Sequence, residues 1–219
     1  MPVRSLPREM RSAVVAAIAA YTAWGFLPIL FKAMHGADSF QVVAHRVVWG
    51  LVFLLGVLTV TRRWASFREI VRNRRRMAAL ALSATFIAAN WLLYIWTVRH
   101  GHVLSASLGY FINPLVNVLL GMAVLKERLR PVQLFAVGLA AAGVLIFALD
   151  GGSGPWLAIS LAVSFSLYGL VRKMVAVPSL EGLMVETTLL FPIAVAYLAL
   201  DPVLTPMQAL PTSTAVLLV

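Results

Sequence analysis

The sequence predicts an all-α polytopic membrane protein, and three observations carry that prediction. Of its 219 residues, 61% are hydrophobic and only 12% are charged, where a soluble domain would be about 25% charged. The apolar residues come as successive runs, most of them near the roughly 20 residues a helix needs to cross a bilayer core. The formal net charge of +10 gathers in every second joint between those runs. This composition excludes a disordered acidic tail, a collagen-like repeat and an ordinary cytoplasmic globule. With no cysteine in the chain, disulfide scaffolds, thiolate catalysis and Cys-ligated metal centres are excluded too.

Seven spans are expected, at 13–33, 42–60, 77–98, 103–125, 132–149, 155–171 and 182–200. An eighth apolar run opens at Ala215, and the sequence stops within it. Arg4, Arg8 and Arg11 ahead of the first run resemble the start of a signal peptide. That run is too long for one, though, and it holds Trp24, Pro28 and Lys32 without a small-x-small cleavage site. A retained helix is expected.

Charge orients the spans. All basic residues except Lys32, Arg46 and Arg99 fall in the segments 1–12, 61–76, 126–131 and 172–181. Short joints rich in Lys and Arg stay on the cytoplasmic side, so the amino terminus is expected there. The densest basic run, 62–76, lies between two spans. It reads as a topology anchor touching anionic lipid head groups, and nucleic acid is not an expected partner.

Polar groups inside the spans mark the candidate site. In the first span Tyr21, Trp24, Pro28 and Lys32 share one helical face, and Pro28 is expected to kink it. Lys32 either snorkels to the outer head groups or sits at the mouth of a cavity. The same two readings apply to Arg46, which lies in the second span beside His45. Buried charges of this kind usually face a bundle interior or a water-filled path. His45 is read as a hydrogen-bonded packing residue or a proton carrier. The third span offers Asn90, Tyr94 and Thr97, and the fourth Tyr110, Asn113 and Asn117 with Pro114 between. These amides either glue helices together or bind the polar edge of a substrate. Gly138, Ala141, Ala142 and Gly143 in the fifth span give a smooth face suited to close packing or a homodimer. Ser160, Ser164 and Tyr168 form a stripe on the sixth. The seventh holds Glu186, the one carboxylate well within any span, and Pro192. Glu186 is a candidate proton-coupling group or a partner for a basic neighbour such as Arg172. No phosphate loop, dinucleotide fingerprint or HExxH motif is present, and His100-Gly101-His102 lacks a third metal ligand. No cofactor is expected.

Residues 20–27 and 164–171 are weakly alike, sharing an aromatic–Gly step. Five spans separate the two copies, and an odd number inverts the second copy in the membrane, a design common in secondary transporters. A second unit of five helices would run beyond Val219, so the sequence reads as a fragment that stops two helices into it.

Longer strings carry a resemblance. They are Tyr21-Thr22-Ala23-Trp24-Gly25-Phe26-Leu27-Pro28, His45-Arg46-Val47-Val48-Trp49 and Asn90-Trp91-Leu92-Leu93-Tyr94-Ile95-Trp96. Ser107-Leu108-Gly109-Tyr110-Phe111-Ile112-Asn113-Pro114-Leu115 is the most specific, and Tyr168-Gly169-Leu170-Val171-Arg172-Lys173 and Glu186-Thr187 complete the set. Over nearly its whole length the chain resembles the RarD group of EamA-domain permeases, in the drug/metabolite transporter superfamily. The resemblance implies ten helices as two inverted five-helix units around a central cavity, in the bacterial inner membrane. Here it implies a cytoplasmic end (1–12), a first unit (13–149) and part of a second (155–219). It further implies secondary-active movement of a small polar or amphipathic organic compound, without ATP hydrolysis, with a family label tied to chloramphenicol. Tyr21, Trp24, Asn90, Tyr94, Tyr110, Asn113, Asn117 and Tyr168 would line the cavity, and the depth of Lys32 and Arg46 suggests that they attract an anionic group at its outer mouth. Two rivals remain at this point: a non-transporting membrane assembly component, and a lipid-modifying enzyme lacking any visible nucleophile–base pair.

Overall fold

A computed structural model describes residues 8–34, 37–127, 129–149, 155–200 and 212–218. Arg4 and Arg128 lie outside the described residues, as does the joint between the two expected units. The chain forms α1 (Arg8–Ala33), α2 (Ser39–Val60), α3 (Trp64–Arg72), α4 (Arg74–Arg99) and α5 (Val103–Leu125). It continues as α6 (Pro131–Leu149), α7 (Pro155–Val175), α8 (Ser179–Leu200) and α9 (Thr212–Leu218).

Six of these helices, α1, α2, α4, α5, α7 and α8, are long and apolar enough to cross a membrane. The fifth expected span is present as α6, whose described side chains form a shorter apolar helix, Pro131–Ile146. Helix ends follow local chemistry. The Asp38 side chain accepts from Phe40 N–H at 2.9 Å and the Asn73 side chain from Arg76 N–H at 3.1 Å, each satisfying an orphan donor of a first turn. Pro131 and Pro155 open their helices, where a missing N–H costs nothing.

Two departures from expectation bear on the packing. The basic joint at 61–76 contains a helix, α3, because Trp64, Phe67 and Ile70 recur every third residue and give it one apolar face. That face packs on Leu58 and Met184 and, through Ile70, on Leu80 and Val185. The sixth span runs on to Val175, carrying Arg172 and Lys173 into the helix.

Helix α7 is the centre of the packing, gripped by α4 and α5, while α8 lies against α2 and α4. At the α5–α7 crossing, a methyl group on Gly109 would stand 3.1 Å from Leu161 Cβ and 3.2 Å from the Ala158 carbonyl. Glycine therefore sets how closely those backbones approach, the usual basis of helix association in lipid. Helix α1 touches the bundle mainly near its end, where Leu27, Leu30 and Phe31 meet the cluster around Tyr94 and Val98. Residues 12–26 of α1 are exposed, and α6 packs chiefly on α5.

The joints cluster by charge. At one end Arg63 pairs with Glu181 at 3.6 Å and Lys173 with Glu127 at 2.6 Å, so three joints expected on the cytoplasmic side do meet. At the other end the Tyr197 hydroxyl donates to Asp38 at 3.3 Å, and the Arg99 guanidinium donates to the Met34 and Ala37 carbonyls.

Candidate functional site

Between α1, α4, α5 and α7 lies a cavity of about 450 Å³, within the size range of small-molecule sites. Helix α1 supplies one wall through Tyr21 and Trp24, three residues apart, their rings edge-on with centroids 5.8 Å apart. Tyr94, Tyr110, Asn113 and Phe165 face them from the other helices. Pro28 and Pro114 also line this space. Each lacks the N–H that would bond the carbonyl four residues earlier, which leaves the Trp24 and Tyr110 carbonyls available to a ligand. Prolines in two walls of one cavity thus add polar backbone to an otherwise aromatic surface. A narrower recess behind it reaches Asn90 and Gly109.

The amides join helices and line the cavity at once. Asn90 Nδ2 donates to the Leu161 carbonyl at 3.0 Å and to Ser164 Oγ at 2.9 Å. Asn113 Oδ1 accepts from Ser166 Oγ at 2.6 Å and from Asn117 Nδ2 at 3.4 Å. The remaining amide atoms, Asn90 Oδ1 and Asn113 Nδ2, have no partner among the described residues. Tyr94 stands between Phe31 and Tyr110, with centroids at 6.1 and 5.8 Å, so its position is fixed from both sides.

Arg46, exposed on α2, does not itself line the cavity but packs on α4 next to the Tyr94 wall. Its guanidinium carbon lies 4.5 Å from the centre of the Trp91 ring, and Tyr94 and Tyr110 lie within electrostatic range. A cation over an indole face gains about 0.5–2 kcal/mol, which offsets part of the roughly 2.5–3.5 kcal/mol cost of an arginine at the centre of a span.

Other expected residues lie elsewhere. Lys32 is exposed in the last turn of α1 and does not line the cavity. Asn117 is exposed one turn beyond Asn113 and reaches the site only through that side chain. Tyr168 does not line the cavity; it turns toward the basic end, where its hydroxyl donates to Glu186 Oε2 at 3.4 Å. Glu186 is 1% exposed. It accepts from Ser83 Oγ and faces Arg172 Nε at 3.7 Å, so its partner is the arginine expected from the sequence. A four-residue polar cluster thereby joins α4, α7 and α8 beyond the cavity's basic side. His45 is buried on α2. His100 and His102 stack on Trp96, and no group of three metal-ligating side chains occurs among the described residues.

Phe165, Ser107, Ser83 and Trp91 were not singled out by the sequence. Phe165 and Ser107 stand three residues before Tyr168 and Tyr110, on stripes already marked. Ser83 and Trp91 gave no such signal, because their partners lie on other helices.

The chain matches the EamA-like transporter family over residues 11–149. It belongs to that family. Among curated relatives, it is 46% identical over 191 residues to Protein RarD of Salmonella typhi, covering 87% of this chain and 65% of that one. It is 44% identical to Protein RarD of Escherichia coli strain K12, covering 87% and 64%. It is 33% identical to the Chloramphenicol-sensitive protein RarD of Pseudomonas aeruginosa, covering 84% and 63%. The chain therefore spans just under two thirds of the length of the curated relatives it matches. No solved structure matches. EamA-family membership, with its membrane spans, makes this a multi-pass membrane protein of a transporter family.

Proposed function

We propose that the chain is part of a secondary-active permease that moves a small polar or amphipathic organic compound by alternating access. The cavity between α1, α4, α5 and α7 carries this reading. Aromatic rings on facing walls suit the stacking of a flat or apolar body, and two asparagines and two proline-freed carbonyls supply polar contacts. Family membership supports the same conclusion, and the name of the Pseudomonas relative makes amphenicols worth including among test compounds. The complete architecture would be two inverted five-helix units, 13–149 and one beginning at 155, in the bacterial inner membrane with the amino terminus cytoplasmic. Glu186, with Ser83, Tyr168 and Arg172 around it, would be the coupling group, responding to protons as the two units rock.

Counterflow tests the reading. Proteoliposomes holding the chain are loaded with unlabelled amino acids, nucleosides or amphenicols, and uptake of the labelled compound is followed. Saturable exchange is expected for at least one class, with a loss of about tenfold, or roughly 1.4 kcal/mol, when Tyr110→Ala removes a stacking ring. Vesicles inert to every class, alongside a stable complex with another membrane protein, would make the chain an assembly component.

A further inference from the structure

We propose that Arg46 is the anion-binding group of this cavity, and that the compound carried is an organic acid: a carboxylate on an aromatic or amphipathic body. This rests on the transport reading above and narrows its substrate class. The first ground is position. Arg46 lies about two turns into α2, some 10 Å below its outer end, on a helix otherwise apolar from Val47 to Val60 but for Thr59. A charge at that depth faces a protein interior or a water-filled path. Arg46 is exposed, and the path is at hand, since Trp91, over whose ring Arg46 lies, stands three residues before Tyr94 on α4, and Tyr94 lines the cavity.

The second ground is charge balance. Every carboxylate whose side chain is described is engaged elsewhere. Asp38 caps α2 and accepts from Tyr197. Glu69 pairs with Arg76, Glu127 with Lys173, Glu181 with Arg63 and Glu186 with Arg172. Arg46 has the Trp91 ring beneath it and no acid among the described residues. An indole face orients a guanidinium and leaves its N–H groups at the edge, where they can take a carboxylate in the two-pronged geometry arginine favours. The anion would sit at Arg46 while its body extends past Tyr110 toward Trp24 and Tyr21. A lipid phosphate offers similar chemistry, so the test separates a dissolved acid from a head group.

Equilibrium binding of labelled 3-phenylpropionate and of its uncharged amide is measured with the purified chain in phosphatidylcholine nanodiscs, and again with phosphatidylglycerol added. The acid is expected to bind about tenfold tighter than the amide in both. Arg46→Gln should bind acid and amide equally. Arg46→Lys, which keeps the charge but not the fork, should retain part of the preference and covers the case in which the glutamine variant does not fold. Equal binding of acid and amide to the unaltered chain overturns the proposal and leaves the transport reading standing. A preference that survives Arg46→Gln also overturns it. So does loss of tightly held phosphatidylglycerol from Arg46→Gln with acid binding unchanged, which would make the arginine a head-group site. Binding of neither probe, with no exchange of any compound, overturns both readings together.

Discussion

Gly182 shows how one hydrogen atom in place of a methyl group can hold a polar cluster. A β-carbon at this position would overlap Nη1 of Arg172, the side chain that faces Glu186. Glycine leaves room for the Arg172 guanidinium, and a methyl group here would make that flexible end shift. Gly182→Ala should therefore act through Arg172. Breaking a buried ion pair outright costs about 3–5 kcal/mol, but the overlapping Nη1 is the far end of a flexible side chain and Arg172 faces Glu186 through Nε, so Gly182→Ala should cost only part of that. The measurement is the thermal midpoint of detergent-solubilised protein. Gly182→Ala should lower it by less than Arg172→Gln does, and in an Arg172→Gln background it should add little. Equal further losses in both backgrounds would mean that the glycine serves helix packing instead. Glu186 was legible in the sequence, because a lone carboxylate in an apolar run needs a partner, and Arg172 was among the nearest cations. Ser83 was not, since it reaches Glu186 across 103 residues of chain and a serine in a helix costs too little to draw notice.

At the scale of the element, α3 is the part the sequence concealed. Apolar windows long enough to detect a span pass over nine residues, and the arginines around it dominate its composition. Its spacing was nevertheless visible: Trp64, Phe67 and Ile70 lie on one side, Arg68 and Arg72 on the other. The spanning helices were legible for the opposite reason, since an apolar run of twenty residues has few other stable arrangements. Because α3 anchors through one face, its two neighbouring aliphatic residues should behave differently. Ile70 is 2% exposed and contacts α4 and α8, whereas Val71 is 42% exposed. Ile70→Ala is expected to cost about 2–5 kcal/mol, as large-to-small core changes do, and Val71→Ala under about 0.5 kcal/mol. Similar shifts for both, read by thermal or denaturant unfolding, would show that α3 does not dock through this face.

For the whole molecule, the strongest link between sequence and function is the sorting of charge to one end. The joints at 61–76, 126–131 and 172–181 are far apart in the chain, yet ion pairs bring them together. Their basic residues are what predicts a cytoplasmic location for that end. This orientation decides what the cavity means, because Tyr110 and Arg46 lie nearer the opposite end and the Glu186 cluster nearer the basic one. Were the basic end inside, as its charge predicts, the proposed site would open toward the outer side, with the Glu186 cluster nearer the cytoplasm. The spans and most of the cavity's aromatic residues were legible because lipid makes polar groups conspicuous. Which of those groups met was not, because convergence depends on how α1, α4, α5 and α7 pack. The absence of cysteine makes orientation directly measurable. Glu69→Cys lies on the exposed face of α3 and His100→Cys on the exposed outer joint. In intact cells a membrane-impermeant maleimide should label His100→Cys and leave Glu69→Cys unlabelled until the membrane is opened. The reverse pattern would invert the molecule and put the cavity's mouth in the cytoplasm. Labelling of both in intact cells would mean that the chain inserts in two orientations, and that its positive charges do not set its topology.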